Sequence, residues 1–233
     1  MANISPFDFW YAVNNTEILK LPARSLETFG STVINYHHIS ELMDSVDQVK
    51  VREGRMFAQK PQIITPEAYS KTMLEGFGSE AEKYVDWMKS HSSEVRVLQY
   101  GYSLKQESFS EHVVSDNIKN VSARVTKELE AKDDPLSAIL IGVDKPWDVC
   151  LIKLFSEVIQ SSAPANIRDM ERKRLFEQDN GIPRGVRQQI DAEFLIASRD
   201  SSQINGLAQR LQECGLFDEY QDRFFALVKA NRK

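Results

Sequence analysis

Hydrophobic and polar positions alternate with period two at several places in the first half of the chain, and repeat every three or four residues through most of the second. TEILKLP reads as a short strand ended by Pro22, and the stretch from Thr32 to Ser40 reads as a longer one. Val49 and Val51 alternate with Lys50 and Arg52, the pattern of a half-buried strand. Glu53-Gly54 then offers a turn, and Met56, Phe57 and Ala58 before Pro61 predict a returning strand, so residues 48 to 60 form a hairpin with one wet, cationic face. Val95, Val97 and Gln99 predict a last strand that runs to about Leu104.

Two helices interrupt this region. Thr65, Pro66 and Glu67 supply a cap, a first helical residue with fixed φ and a negative charge at the positive helix end. After Gly76-Phe77-Gly78, Ser79 and Glu82 have the spacing of a reciprocal cap and open a helix over Glu80 to Ser90.

From Ser108 the period changes. Ser108 and Glu111 form another capping pair, and Val114, Ile118, Val121, Val125 and Leu129 make one stripe of a long helix stopped by Asp133-Asp134-Pro135. Leu136 to Ile141 reads as a short apolar helix ending at Gly142. Asp144-Lys145-Pro146 opens another, with Trp147, Cys150, Leu151, Leu154, Phe155 and Val158 on one face. Further helices are predicted over Pro164 to Gln178, Pro183 to Ser198, Ser202 to Cys214 and Phe217 to Ala230, with Asn180-Gly181 and Gly215 as left-handed caps. The expected fold is α+β: a small, mainly antiparallel sheet with helices in residues 1–107, then a bundle of five or six helices in 108–233, the two parts separate or packed as one unit.

A chain of 233 residues can bury a core without disulfide or metal. Cys150 lies inside an apolar helical run, which favours a reducing compartment. No apolar run approaches membrane-spanning length and the N-terminus has no signal-peptide pattern, so the expected location is cytoplasmic, without membrane contact. The net charge of −5 argues against a surface built throughout for nucleic acid, and any anion site must be a local patch.

Lys50, Arg52, Arg55 and Lys60 oppose only Glu53 between residues 48 and 60. Arg55 and Phe57 share parity, so a cation and a ring share a strand face, as base stacking with phosphate contact requires. These five residues, Lys50, Arg52, Arg55, Phe57 and Lys60, are the candidate anion surface. The competing explanation is a solvated strand face whose charges prevent edge pairing.

His37 and His38 are adjacent, but strand neighbours point to opposite faces, so they do not form a metal pair. No phosphate-binding glycine motif occurs, although Gly76-Phe77-Gly78 before a helix can present free amides to an anion. Cys214, beside a helix end, is the more accessible thiol of the two. Arg168, Arg172, Lys173 and Arg174, followed by Arg184 and Arg187 across Asn180-Gly181, evoke a helix-turn-helix, with nearby acids offsetting most of the charge. Phe217, Tyr220 and Phe224 form an aromatic stripe that docks on its own domain or serves as a partner or dimer surface.

No catalytic residue, metal or cofactor is assigned. The leading expectation is a non-enzymatic cytoplasmic binding or regulatory protein that recognises a protein partner or an anionic ligand. One alternative is RNA or DNA binding through the 48–60 hairpin. Another is a hydrolase or transferase that uses His37 or His38 with a carboxylate such as Glu41.

Overall fold

The computed structural model describes residues 8–43, 45, 47–63, 74–75, 78–81, 83–84, 87, 100–101 and 104–231. In chain order, α1 (Phe9–Asn14) precedes β1 (Glu17–Lys20), β2 (Thr32–Glu41), β3 (Gln48–Ala58), β4 (Gln62–Ile63), β5 (Leu74–Glu75), β6 (Tyr100–Gly101), β7 (Leu104–Gln106) and β8 (Ser110–Ser115). There follow α2 (Ile118–Lys132), β9 (Ser137–Gly142), α3 (Trp147–Arg172), β10 (Gln178–Asp179), β11 (Ile182–Pro183), α4 (Arg184–Arg199), α5 (Ile204–Glu213) and α6 (Phe217–Ala230). Residues 79–81, 83–84 and 87 are also helical. The helix expected after Thr65 and the strand expected over residues 95–99 lie outside the described residues.

The chain divides into two compact units. One comprises Met1–Pro61, Met73–Val95 and Tyr102–Asn166, the other Gln62–Thr72, Arg96–Gly101 and Ile167–Lys233. The first is built on a seven-stranded sheet of order β1-β9-β2-β3-β7-β5, with β8 also paired to β3. Its pairings are antiparallel except β2 with β9 and β5 with β7. The expected mixed fold with a mainly antiparallel sheet is therefore present.

Alternation decides what each sheet face meets. On one face, Ile39, Val49, Val51 and Ile139 pack against Val121, Val125 and Leu129 of α2. These three helix residues recur at steps of four, so one stripe covers the sheet. The α2 cap is Asn117, whose side chain accepts from the Asn120 amide at 2.9 Å. On the other face lie Tyr36, His38 and Ser40 of β2, paired in register with Gly54, Arg52 and Lys50 of β3. This face meets the start of α3, where Cys150, Leu151, Leu154 and Phe155 are buried.

Three expectations are corrected. Ser137–Gly142 is a strand: its apolar run lies between β1 and β2 in the sheet interior, where both faces are covered and the alternation that marks a half-exposed strand disappears. Ser110–Ser115 is also a strand, and the capping pair Ser108 and Glu111 caps nothing, so the bundle predicted from residue 108 begins with a sheet element. Glu53-Gly54 is not a turn, because β3 runs straight through it and the hairpin partner of Val49–Ala58 is the whole of β2. A Cβ on Gly54 would stand 2.5 Å from Tyr36 Oη and 2.7 Å from Phe109 Cβ, which gives a mid-strand glycine its reason.

In the second unit, Asn180 and Gly181, with φ of 52° and 82°, turn the short β10–β11 hairpin. This hairpin separates the cations of Arg168–Arg174 from Arg184, so the tight connection of a helix-turn-helix is not formed. The helices expected on either side of Pro164 are one continuous α3. Among the described residues, no helix is long and apolar enough to cross a membrane.

Candidate functional site

β3 and β8 place Arg52 directly opposite Glu111, and β2 places His38 opposite Arg52 on the other side. The connection after β9 brings Asp144 and Trp147 over the same spot. Arg52 is 3% exposed. Burying a guanidinium carries a large desolvation cost unless its donors are satisfied, and here every nitrogen has a neighbour. Nη2 donates to Asp144 Oδ1 at 2.5 Å and to its carbonyl at 3.4 Å, Nη1 to Ser40 Oγ at 3.4 Å, and Nε to Glu111 Oε2 at 3.2 Å. Lys50 Nζ reaches the same Asp144 oxygen at 3.1 Å.

Burial alone would raise the Asp144 carboxyl, but the hydrogen bonds and the positive charges of Arg52 and Lys50 together hold the group below its ordinary value. Arg52 also lies over the Trp147 ring, with its Cζ 5.0 Å from the centroid. Tyr36, His38 and Phe109 surround that ring at 6.2, 5.8 and 4.8 Å between centroids.

His38 is fully buried, and its pKa falls to about 3 because burial, then the Arg52 guanidinium, disfavours the imidazolium, with Asp144 opposing. Arg52 Nη1 stands 3.5 Å from His38 Nδ1. A guanidinium can only donate, so Nδ1 accepts and the ring proton belongs on Nε2. Nε2 has no hydrogen-bond partner among the described residues. It faces Gly142, where a Cβ would lie 2.8 Å from Nε2 and 2.7 Å from Cys150 Sγ.

The predicted cationic surface is split by strand parity. Lys50 and Arg52 point to the Trp147 face, while Arg55 and Phe57 take the α2 face, and Lys60 is exposed beyond the end of β3. Arg55 pairs with Glu107 at 2.8 Å. The five residues do not make one surface, although Arg55 and Phe57 share a strand face as expected. Their register explains this: a single straight strand alternates where a hairpin would have folded back.

His37 and His38 take opposite faces as expected. His37 lies 3.9 Å from Glu53, and its pKa is lowered chiefly by burial, with Glu53 opposing. Glu41 shares the strand face of His37 and is exposed. His112 is exposed and His91 lies outside the described residues. Both cysteines are buried, including Cys214, which was expected to be the more accessible; burial pushes the Cys150 thiol up. The Gly78 amide, a predicted anion donor, donates to Asp148 Oδ2 at 2.6 Å. Among the described residues no group of three or more His, Cys, Asp or Glu is placed to hold a metal.

The aromatic stripe of α6 is used within its own unit. Phe224 is buried, Tyr220 stacks on Phe194 of α4 at 5.8 Å, and Glu219 and Arg223 pair with Arg187 and Asp191 of α4. Phe217 lies 5.6 Å from Phe224, and Phe225 is the exposed ring.

Sequence reasoning found the two cations and missed their counter-ions. Asp144 read as a helix opener, and Glu111 read as part of a helix cap. A correct β8 assignment would have placed Glu111 across from Arg52.

Fold and site together define a mixed α/β protein with a buried, charge-balanced cluster on one sheet face. Compared with family models, curated proteins and solved structures, the chain matches none.

Proposed function

We propose that the chain is a non-enzymatic binding or regulatory protein whose ligand carries an anionic group, received at Arg52. One observation carries this reading: the two counter-ions of Arg52 are unequal. Asp144 is largely buried and serves both Arg52 and Lys50, whereas the Glu111 side chain is 50% exposed and bonds Arg52 through one oxygen. Glu111 leaves in exchange for an incoming oxyanion, which takes over the buried Arg52 Nε–H donor while the half-exposed carboxylate moves into water. Once it leaves, Lys50 and Arg52 face Asp144 alone, and the net positive charge sits in a poorly solvated place where an anion interacts strongly.

Inorganic phosphate at fixed ionic strength is expected to raise the thermal midpoint saturably, because a ligand that binds the native state stabilises it by mass action. Phosphate also stabilises proteins without binding, through exclusion from their surface, and Glu111→Gln separates the two effects. The variant is expected to saturate at about fivefold lower phosphate, the equivalent of roughly 1 kcal/mol. Identical, unsaturating shifts in both proteins contradict the proposal.

A further inference from the structure

Trp147 has two neighbourhoods. It carries Arg52 over its ring, and it also lines a surface cleft with Gln106, Glu107, Ser108, Phe109 and Asp148. Phe109, Glu111 and Val113 alternate along the segment that ends in β8, so they share the sheet face of Arg52, and all three are exposed. Phe109 is 42% exposed although its ring meets Trp147 edge-on at 4.8 Å. Its position is built in: β3 has a glycine beneath it, and a Cβ there would collide with Phe109 and Tyr36.

The two carboxylates of the cleft are already engaged by neighbouring groups. Glu107 pairs with Arg55 at 2.8 Å, and Asp148 accepts from Gly78 N at 2.6 Å and from Val149 N at 3.1 Å. Arg55 offsets the charge of Glu107, whereas Asp148, held by neutral amides, keeps its own. What the cleft leaves open is an aromatic surface adjoining a guanidinium whose outer counter-ion is displaceable.

We infer that the ligand carries its oxyanion on a flat aromatic body, the ring against Phe109 and Trp147 and the oxyanion in the place of the Glu111 carboxylate on Arg52. The inference rests on the anion reading and names the chemistry of that ligand. Phosphate monoesters and aromatic carboxylates share this chemistry.

Calorimetric titration of the full chain with inorganic phosphate, phenyl phosphate and benzoate tests it, alongside Glu111→Gln and Phe109→Ala. Both substitutions alter exposed side chains, so folding is retained. Phenyl phosphate is expected to bind about tenfold tighter than inorganic phosphate, the size of an added aromatic contact. Phe109→Ala is expected to cut that ratio below about threefold while leaving inorganic phosphate unchanged. Benzoate tighter than phenyl phosphate identifies a carboxylate as the oxyanion, and the reverse order identifies a phosphate. If phenyl phosphate binds no tighter than inorganic phosphate, the aromatic body is overturned and the anion reading stands. If no probe binds Glu111→Gln, the anion reading falls, and this inference with it.

Discussion

Replacing Asp144 by Asn is expected to cost about 3 kcal/mol of unfolding free energy at pH 7, at the low end of what breaking a buried ion pair costs. The loss is set by what the substitution leaves behind. Arg52 is almost fully buried, and without Asp144 it keeps one counter-ion, Glu111, which is half in water. Lys50 loses its anion as well. The penalty is the exposure of two charges to a poorly solvating interior, and it exceeds the net worth of the pair. The double variant Arg52→Met with Asp144→Leu is therefore expected to recover most of the loss, because apolar residues of similar volume often replace buried ion pairs without net destabilisation. Urea unfolding of the three proteins distinguishes the cases. A loss below about 0.5 kcal/mol in Asp144→Asn would place the pair in the solvated class, where such contacts are nearly neutral.

Acid is the second large effect. The folded chain holds His38 at about 3, whereas a histidine in the unfolded chain titrates near 6.5. Between these values the unfolded state binds a proton at this position and the folded state does not, so stability is complete above about pH 6.5 and is lost progressively as pH falls toward 3. Lowering the pH from 7 to 5 is expected to remove on the order of 2 kcal/mol through His38. His37, whose pKa is lowered in the same direction, adds to the loss. The Asp144 carboxyl contributes only at lower pH, since its folded value lies below its ordinary one and its stabilisation disappears as pH falls through that folded value. His38→Gln isolates the effect: its unfolding free energy is expected to change distinctly less between pH 7 and pH 5 than that of the wild type. Equal losses in the two proteins would mean that His38 accepts a proton in the folded state.

Such acid sensitivity is the cost of placing a polar group where the sheet needs a residue and the neighbouring guanidinium needs an acceptor. The sequence pattern made half of this visible. Period-two alternation located β2 and sent His37 and His38 to opposite faces, and the stripe of Val121, Val125 and Leu129 located the helix that covers one of those faces. β9 escaped because burial on both sides erases alternation, leaving a run of apolar residues that fits a helix equally well. The course of β3 escaped because Glu-Gly is ordinary turn chemistry. Only the tertiary positions of Tyr36 and Phe109 explain a glycine in mid-strand.

The cations of the site were legible and their neutralisation was not. Lys50 and Arg52 stand beside one acid in sequence, while Asp144 and Glu111 arrive from 92 and 59 residues away. The balance of the cluster is a property of strand register and of the connection after β9. Local composition carries neither.

The central claim is that Glu111 holds a place on Arg52 that an external oxyanion can take. Side-chain NMR of the Arg52 Nε–Hε group, assigned by its absence in Arg52→Lys, reads that atom directly. The signal is expected to move saturably as inorganic phosphate or phenyl phosphate is added, and in Glu111→Gln to saturate at lower ligand concentration. A signal indifferent to both anions in both proteins would contradict it and leave Arg52 as a purely structural charge.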